Sequence, residues 1–187
     1  MHPDLPIIGI EPALKPAISI TQTGRIGVMA TRGTLGSEKF KNLYASLKDQ
    51  AEFILQPCDG LADAIERDDT IKIRLLCQQY LNELGTFGAE TGQTDTLVLG
   101  CTHYPFIQPI LQDLAGHPLH FLEGGVPVAR QTRRVLDERF KLFVGTLASS
   151  GQPSKLQFFS TGIASTLFET VKRWMHFEQA VHSIKIT

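Results

Sequence analysis

The alternation of short apolar runs with longer segments of helical periodicity is the strongest constraint on the fold. Four runs are continuous or nearly continuous in apolar residues, and they lie at 6–10, 25–30, 52–56 and 96–100. Such runs suit parallel strands covered on both faces. Because parallel neighbours need a crossover, usually a helix, the pattern predicts an α/β protein. We expect a doubly wound, mostly parallel sheet of about four strands flanked by helices.

Helices are predicted between these runs from apolar residues spaced three and four apart. One begins after Ser37, a suitable N-cap, and a second runs from Thr70 to the residue before Gly85. A third begins near Pro105, since proline is tolerated in the first helical turn. Residues 120–122 are a further strand candidate.

The pattern changes after Gly124-Gly125. A long helix is predicted over 126–143, followed by a polar loop, a strand at 156–160 and a helix carrying apolar residues from 163 to 175. This αβα tail has too few elements for a sheet of its own, because a single strand buries too little to be stable. We therefore expect it to extend the first sheet or to dock on something outside the chain.

Composition limits the class of protein. Hydrophobic residues make up 42% and the net charge is −1, which gives no electrostatic reason to expect nucleic acid or an anionic membrane as a partner. No apolar run reaches the roughly 20 residues of a membrane span, and the first residues lack the layout of a signal peptide. Three cysteines without a C-x-x-C motif fit a reducing compartment, so we expect a cytoplasmic protein.

The sequence Gly-Cys-Thr-His at 100–103 is the main candidate site. Cys101 directly follows the strand at 96–100, and ligands of open α/β sheets bind at the carboxyl ends of strands. A nearby helix N-terminus and a protonated His103 would both favour the thiolate, and the Thr102 hydroxyl could bind an anion. The alternative is a buried small residue at a tight turn. Cys77, on an apolar helix stripe, and Cys58 are predicted to be structural.

Two other segments are candidate parts of a functional site at the same edge of the sheet. Residues 30–37 carry Thr31 and Thr34 and form an anion-binding loop or an ordinary helix cap. Glu66 ends a short helical segment and, taken alone, is typical of a solvated face. A metal site is not predicted, because Cys101 and His103 supply only two ligands. No G-x-G-x-x-G or P-loop pattern indicates a nucleotide cofactor.

Five stretches together resemble the glutamate racemases of bacterial cell-wall synthesis, and they occur in that family's order: LPIIGIEPALKPA, GVMATRGTLGSEKF, QPCDGLADAIE, LVLGCTHYPF and FFSTG. The resemblance implies a cytoplasmic, cofactor-independent isomerase that supplies D-glutamate for peptidoglycan, cell-wall biogenesis and cell shape. In the family, two cysteines on opposite sides of the substrate Cα remove and return its proton. A metal is not implied, and a homodimer is left open.

The resemblance also implies roles for individual residues. Cys101 is similar to the base that acts on L-glutamate, and His103 to the residue that assists it. Thr102 is similar to the hydroxyl that binds the α-carboxylate. The remaining implied site residues are a supporting acid and two substrate-contacting threonines: Glu66, Thr31 and Thr34.

The chain departs from the family in lacking an Asp-Ser-Gly turn and the Cys-Asn-Thr motif of the first catalytic cysteine. The resemblance therefore implies a complete second domain at 6–122, and at 123–187 the C-terminal segment of a first domain whose N-terminal part is missing. We expect little or no racemisation by this chain alone. Exposed aromatic side chains in the tail would make it prone to associate.

Other functions remain open at this point. Cys101 could be the nucleophile of a Cys–His acyl-transfer enzyme, which would need His103 in reach and a third, orienting group. The chain could instead be a non-catalytic small-anion-binding module. Aspartate or hydantoin racemisation is a further alternative, although the motifs favour glutamate.

Overall fold

A computed structural model describes residues 5–140 and 156–186. By its internal contacts the chain divides into two compact units, Met1–Phe140 and Lys141–Thr187. The first carries the candidate site and is described first. The division at 122/123 expected from the family resemblance stays a prediction.

The first unit is built on a four-stranded parallel sheet. Its strands are β1 (Arg25–Ala30), β2 (Glu52–Pro57), β3 (Thr96–Gly100) and β4 (His120–Leu122), in the spatial order β2-β1-β3-β4. All pairs are parallel, so the carboxyl ends of the strands meet at one edge. The predicted α/β class with a parallel sheet of about four strands is confirmed.

Helices precede, connect and follow these strands. They are α1 (Leu14–Ile20), α2 (Arg32–Gly36), α3 (Glu38–Ala45), α4 (Leu61–Glu66), α5 (Thr70–Leu84), a 3-10 turn (Tyr104–Ile107), α6 (Gln108–Ala115) and α7 (Gly125–Phe140). Ser37 caps α3 as predicted, its side chain accepting from the Phe40 N–H. Asp69 rather than Thr70 caps α5, since its carboxylate accepts from the Lys72 N–H. Residues 30–37, predicted to be a loop, contain the short helix α2.

The predicted strand at 6–10 is wrong. These residues belong to no helix or strand, and Ile7 is 80% exposed. An apolar run alone cannot distinguish a buried strand from a segment without regular secondary structure. Here the Ile10 side chain lies close to Gly124, and Glu11 lines three cavities.

The sheet core consists of the inner strands. Ile26 and Val28 of β1 and Leu97 and Val98 of β3 are fully buried. Burying each such side chain stabilises the fold by about 1.5–3 kcal/mol. The inner strands are therefore rigid supports for the loops that leave their carboxyl ends.

The second unit contains β5 (Phe158–Ser160), α8 (Ala164–Met175) and β6 (Val181–Ser183). The two strands pair in parallel, so the tail does form a small sheet of its own, contrary to expectation. Strand β6 was missed because its three residues have no apolar alternation; it is made by pairing with β5. The predicted end of α7 at 141–143 and the loop at 145–155 lie outside the described residues. Phe159 is 51% exposed, and tail-driven association stays a prediction.

Asp95 holds the amino end of β3 in place. Its carboxylate accepts hydrogen bonds from the Thr21 and Thr96 hydroxyls at 2.7 and 2.8 Å and from the Gln22 and Thr23 N–H groups at 2.6 and 3.0 Å. Burial would raise the pKa of Asp95, but these donors outweigh it and lower the pKa. The strand that ends at the candidate site is thus anchored at its other end by a buried carboxylate.

Asp95→Asn should destabilise the first unit by about 1.5–3 kcal/mol, because an amide N–H₂ would face the backbone donors. A lowered pKa means that the carboxylate stabilises the fold above its unfolded pKa of about 3.9. That stabilisation is lost as pH falls through the folded value. Urea unfolding at pH 7 and at pH 3 measures this, and the difference between wild type and variant should shrink at pH 3. Asp113→Asn, which removes an exposed partner of Arg74, is the control and should cost under about 1 kcal/mol.

Candidate functional site

A glycine brings the candidate site close to the sheet. A Cβ at Gly100 would lie 2.9 Å from the Ala30 Cβ and 3.1 Å from the Met29 carbonyl oxygen, closer than side-chain atoms normally approach. β3 can therefore end beside β1 only with glycine at this position. Cys101 and Thr102 follow at once, at the carboxyl edge of the sheet.

Three predicted catalytic side chains form a connected row. The Cys101 Sγ lies 3.6 Å from the His103 Nδ1, and the His103 Nε2 lies 2.8 Å from the Glu66 Oε1. Glu66 is the last residue of α4, 37 positions before His103 in the chain. The structure thus brings together a thiol and an imidazole from the segment after β3 and a carboxylate from the end of α4.

Cys101 also lines a cavity of about 320 Å³. Cys101, Thr102 and Thr34 line it, and so do Glu11 and Glu123. His103 and Glu66 do not line it, so they approach Cys101 from outside the cavity. A small ligand in this space would meet the thiol and two threonine hydroxyls directly.

Thr31 and Thr34 form a local unit at the end of β1. Thr31 caps α2, its hydroxyl accepting from the Thr34 N–H at 3.2 Å, and the two hydroxyl oxygens lie 2.9 Å apart. Thr34 lines the Cys101 cavity, whereas Thr31 lines a neighbouring cavity of about 410 Å³. Of the predicted substrate-binding threonines, Thr34 and Thr102 therefore share a cavity with Cys101. Thr31 lines only the neighbouring cavity.

The other two cysteines are structural, as predicted. Cys58 is 2% exposed and Cys77 is fully buried, and neither lines the Cys101 cavity. Burial, with a smaller contribution from the neighbouring Cys77 thiol, raises the pKa of Cys58. Burial raises the pKa of Cys77 to about 12, although Arg74 opposes it. Both thiols stay protonated near neutral pH, whereas Cys101 is partly exposed and lines the cavity.

Several residues at the site were missed from the sequence. Glu123 follows β4 and accepts hydrogen bonds from the N–H groups of Gly125 and Val126, capping α7. Its position after a strand end was a signal that could have found it. Glu11 forms an ion pair with Lys39 at 2.9 Å, and nothing in the local sequence indicates that pair.

Within residues 5–140 and 156–186, no three His, Cys, Asp or Glu side chains are placed to hold a metal ion. Over the same residues, no helix is long and apolar enough to cross a membrane.

No protein-family model matches this sequence. Several curated proteins, in contrast, are similar to it in sequence. The chain is 43% identical over 141 residues to the glutamate racemase of Pseudomonas entomophila, covering 74% of this chain and 51% of that protein. It is 37% identical over 164 residues to the glutamate racemase of Pseudomonas paraeruginosa, covering 87% of this chain and 58% of that one. The chain thus spans about half the length of the curated relatives it matches.

The solved structures similar to this chain are also glutamate racemases. A glutamate racemase isoform of Bacillus anthracis superposes with a TM-score of 0.70 at 27% identity, over 92% of this chain and 62% of that one. The Escherichia coli glutamate racemase, solved with L-glutamate and the activator UDP-MurNAc-Ala, superposes with a TM-score of 0.73 at 22% identity. This second likeness, over 100% of this chain and 67% of the other, concerns the fold alone. In sequence and in fold, the chain is thus similar to the glutamate racemases, and it spans about half the length of the curated ones it matches.

Proposed function

We propose that this chain contributes one half of a cofactor-independent glutamate racemase, with Cys101 as the base that removes the Cα proton of L-glutamate. The observation that carries the proposal is the row from Cys101 through His103 to Glu66 beside a cavity of substrate size. A thiol next to a base, and a base oriented by a third group, is the arrangement that activates a cysteine.

The Glu66 contact determines how His103 acts. An ionised carboxylate can only accept a hydrogen bond, so the His103 Nε2 carries the hydrogen. In the neutral ring the Nδ1 is then an acceptor, and it faces the Cys101 Sγ at 3.6 Å. His103 can therefore take the thiol proton, while Glu66 holds the ring in that tautomer and stabilises the imidazolium that forms.

The cavity lining suits a substrate that gains negative charge. Removing a proton next to a carboxylate places charge on the carboxylate oxygens, where fixed donors stabilise the transition state. The hydroxyls of Thr102 and Thr34 are available donors in the cavity. We assign Thr102 to the α-carboxylate, and Thr34 and Thr31 to the remainder of the substrate.

A second thiol has to return the proton from the opposite face for inversion to occur. The sequence contains three cysteines, and Cys58 and Cys77 are buried away from the cavity. We therefore propose that the 187-residue chain alone does not interconvert the enantiomers. In the whole protein the product would be D-glutamate for peptidoglycan, made in the cytoplasm, with glutamate as the small-molecule substrate and no cofactor.

A single thiol on one face predicts a specific isotope result. In D₂O, the purified chain should replace the Cα–H of L-glutamate by deuterium with retention, because the thiol that removes the proton also returns it. D-glutamate should keep its Cα–H, since that bond points to the other face. Proton NMR with chiral chromatography of the amino acid measures both. Inversion of either enantiomer would contradict the one-sided site, and absence of exchange from L-glutamate would contradict Cys101 as the base in this chain.

Acyl transfer by Cys101 is a second candidate, because the Glu66 contact supplies the orienting group that such a site requires. The two functions differ in their covalent chemistry. Acyl transfer joins the substrate acyl carbon to the Cys101 sulfur and releases the leaving group, whereas proton transfer leaves the thiol unmodified. Mass spectrometry after incubation with p-nitrophenyl acetate distinguishes them: acetyl-Cys101 that forms no faster than on a free thiol favours proton transfer.

A further inference from the structure

Two tyrosine hydroxyls donate hydrogen bonds to consecutive carbonyl groups of one turn. The Tyr104 hydroxyl donates to the Cys58 carbonyl at 3.3 Å, and the Tyr80 hydroxyl donates to the Asp59 carbonyl at 2.6 Å. Burial raises the pKa of both tyrosines, so both hydroxyls stay protonated near neutral pH and act as donors. Neither tyrosine lines the Cys101 cavity, so a role in the site has to be indirect.

The turn at 58–60 begins the helix that ends at Glu66. The Cys58 carbonyl also accepts a hydrogen bond from the N–H of Leu61, the first residue of α4, at 3.4 Å. Gly60, the N-cap of α4, has a left-handed φ of 76° and gives the helix no side-chain cap. Because α4 has only 6 residues, the direction in which this turn starts the helix determines where Glu66 lies.

Packing and hydrogen bonding make different contributions to the position of α4. Leu61, Ala64 and Ile65 are buried and hold the helix against the core. Apolar burial is not directional, whereas a hydrogen bond is satisfied only over a narrow range of angles. The two tyrosine hydroxyls therefore supply an orientation that packing alone does not specify.

Tyr104 also belongs to the segment that carries the candidate site. It directly follows His103, its side chain is fully buried, and its N–H donates to the Cys101 carbonyl at 3.2 Å. Its backbone is thus bonded to the turn of Cys101 and His103, while its hydroxyl is bonded to the turn that begins α4. Tyr104 therefore connects the two segments that supply the imidazole and the carboxylate.

The contact between His103 and Glu66 depends on such support. The two side chains are 29% and 55% exposed. A pair exposed to this degree gains little by itself, because water competes and side-chain freedom is lost when the pair forms. It is maintained more easily when the backbones of both residues are already in place.

We propose that Tyr80 and Tyr104 are positioning residues, which place Glu66 against His103 by holding the Cys58 and Asp59 carbonyls. This rests on the proposed function, in which Glu66 orients His103 and stabilises its imidazolium form. The tyrosines then act through the Glu66 carboxylate and have no effect on Cys101 without it. Tyr80 should have the larger effect, because its hydrogen bond is the shorter one.

The chain offers a matched control, since it contains three tyrosines. Tyr44 lies on α3 and packs against Phe40 and Phe53, with ring centroids 6.3 and 6.0 Å apart. Tyr44→Phe, Tyr80→Phe and Tyr104→Phe make the same chemical change, and each is studied with and without Glu66→Gln. The rate of Cys101 alkylation by iodoacetamide, which reacts with the thiolate, is followed by mass spectrometry between about pH 6 and pH 9. Circular dichroism checks that each variant is folded.

Tyr80→Phe and Tyr104→Phe should each slow alkylation near pH 7 by about two- to fivefold, because a misplaced Glu66 supports proton transfer from Cys101 to His103 less well. Both should shift the pH profile in the same direction as Glu66→Gln, and Tyr44→Phe should match wild type. Added to Glu66→Gln, either change should slow alkylation further by less than about 1.5-fold.

Equal slowing with and without the Glu66 carboxylate would mean a general structural role and would overturn the proposal. Rates equal to those of Tyr44→Phe would overturn it as well. If one of the two variants does not fold, the other decides the outcome by the same criteria.

The two proposals fail differently. Deuterium exchange at the Cα of L-glutamate is measured on the same proteins. If the unaltered chain shows no exchange, the proposed function is contradicted, while alkylation of Cys101 still decides whether the tyrosines act through Glu66. If exchange occurs and the tyrosine effects do not depend on Glu66, the proposed function stands and the positioning role is overturned.

Discussion

Replacing Cys101 by serine is expected to slow the exchange of the Cα proton of L-glutamate by about a hundredfold or more. The reason is chemical rather than steric. Serine fits the same space after β3, but its hydroxyl ionises far less readily than a thiol and is a much weaker base near neutral pH. The rate of deuterium incorporation at saturating L-glutamate, measured by NMR, reports this loss. The affinity for L-glutamate should change little.

Cys77→Ala is the control for Cys101→Ser. Cys77 is buried in α5, and burial keeps its thiol protonated, so its removal should cost stability but leave the exchange rate of the folded fraction unchanged. An exchange rate that survives Cys101→Ser and falls with Cys77→Ala would refute the assignment of the base.

His103→Asn should lower the same exchange rate about a hundredfold, because an amide cannot take the thiol proton. Asparagine retains a polar side chain of similar length at a position that is partly exposed, so the fold should be preserved. Glu66→Gln should have a smaller effect, about tenfold. It retains a hydrogen-bond acceptor for the His103 Nε2 but loses the charge that stabilises the imidazolium.

The pH profile separates this role from a structural one. If Glu66 acts through His103, Glu66→Gln should shift the pH dependence of the exchange rate, whereas a merely structural change would lower the rate equally at every pH. His117→Asn is the matched control, since His117 is exposed and lies on the loop after α6, away from the cavity. Equal losses in His103→Asn and His117→Asn would count against an acid–base role for His103.

Secondary structure was predictable where a local pattern and burial agree. The strands at 25–30, 52–56 and 96–100 read as apolar runs and are found with at most one residue of difference. The long helix α5 also follows its apolar spacing. In these segments the residues that favour an element also face the core, so local propensity and tertiary packing lead to the same structure.

Local patterns failed where a partner decides the structure. Residues 6–10 are as apolar as a strand, yet they pair with no strand among the described residues. Val181–Ser183 has little strand signal, yet it is a strand because β5 offers unpaired backbone groups. A strand is stable only with a neighbour, and the sequence of one segment does not state whether that neighbour exists.

The candidate site was likewise predictable only in part from the sequence. The sequence by itself determined the chemistry next to β3, because Cys101, Thr102 and His103 are adjacent and the end of a parallel strand places them at the ligand-binding edge. Only the tertiary structure decided that Glu66 contacts His103, that Thr34 shares the cavity, and that Glu11 pairs with Lys39. These contacts join residues far apart in the chain, and their geometry is set by how the loops of separate strands pack at one edge.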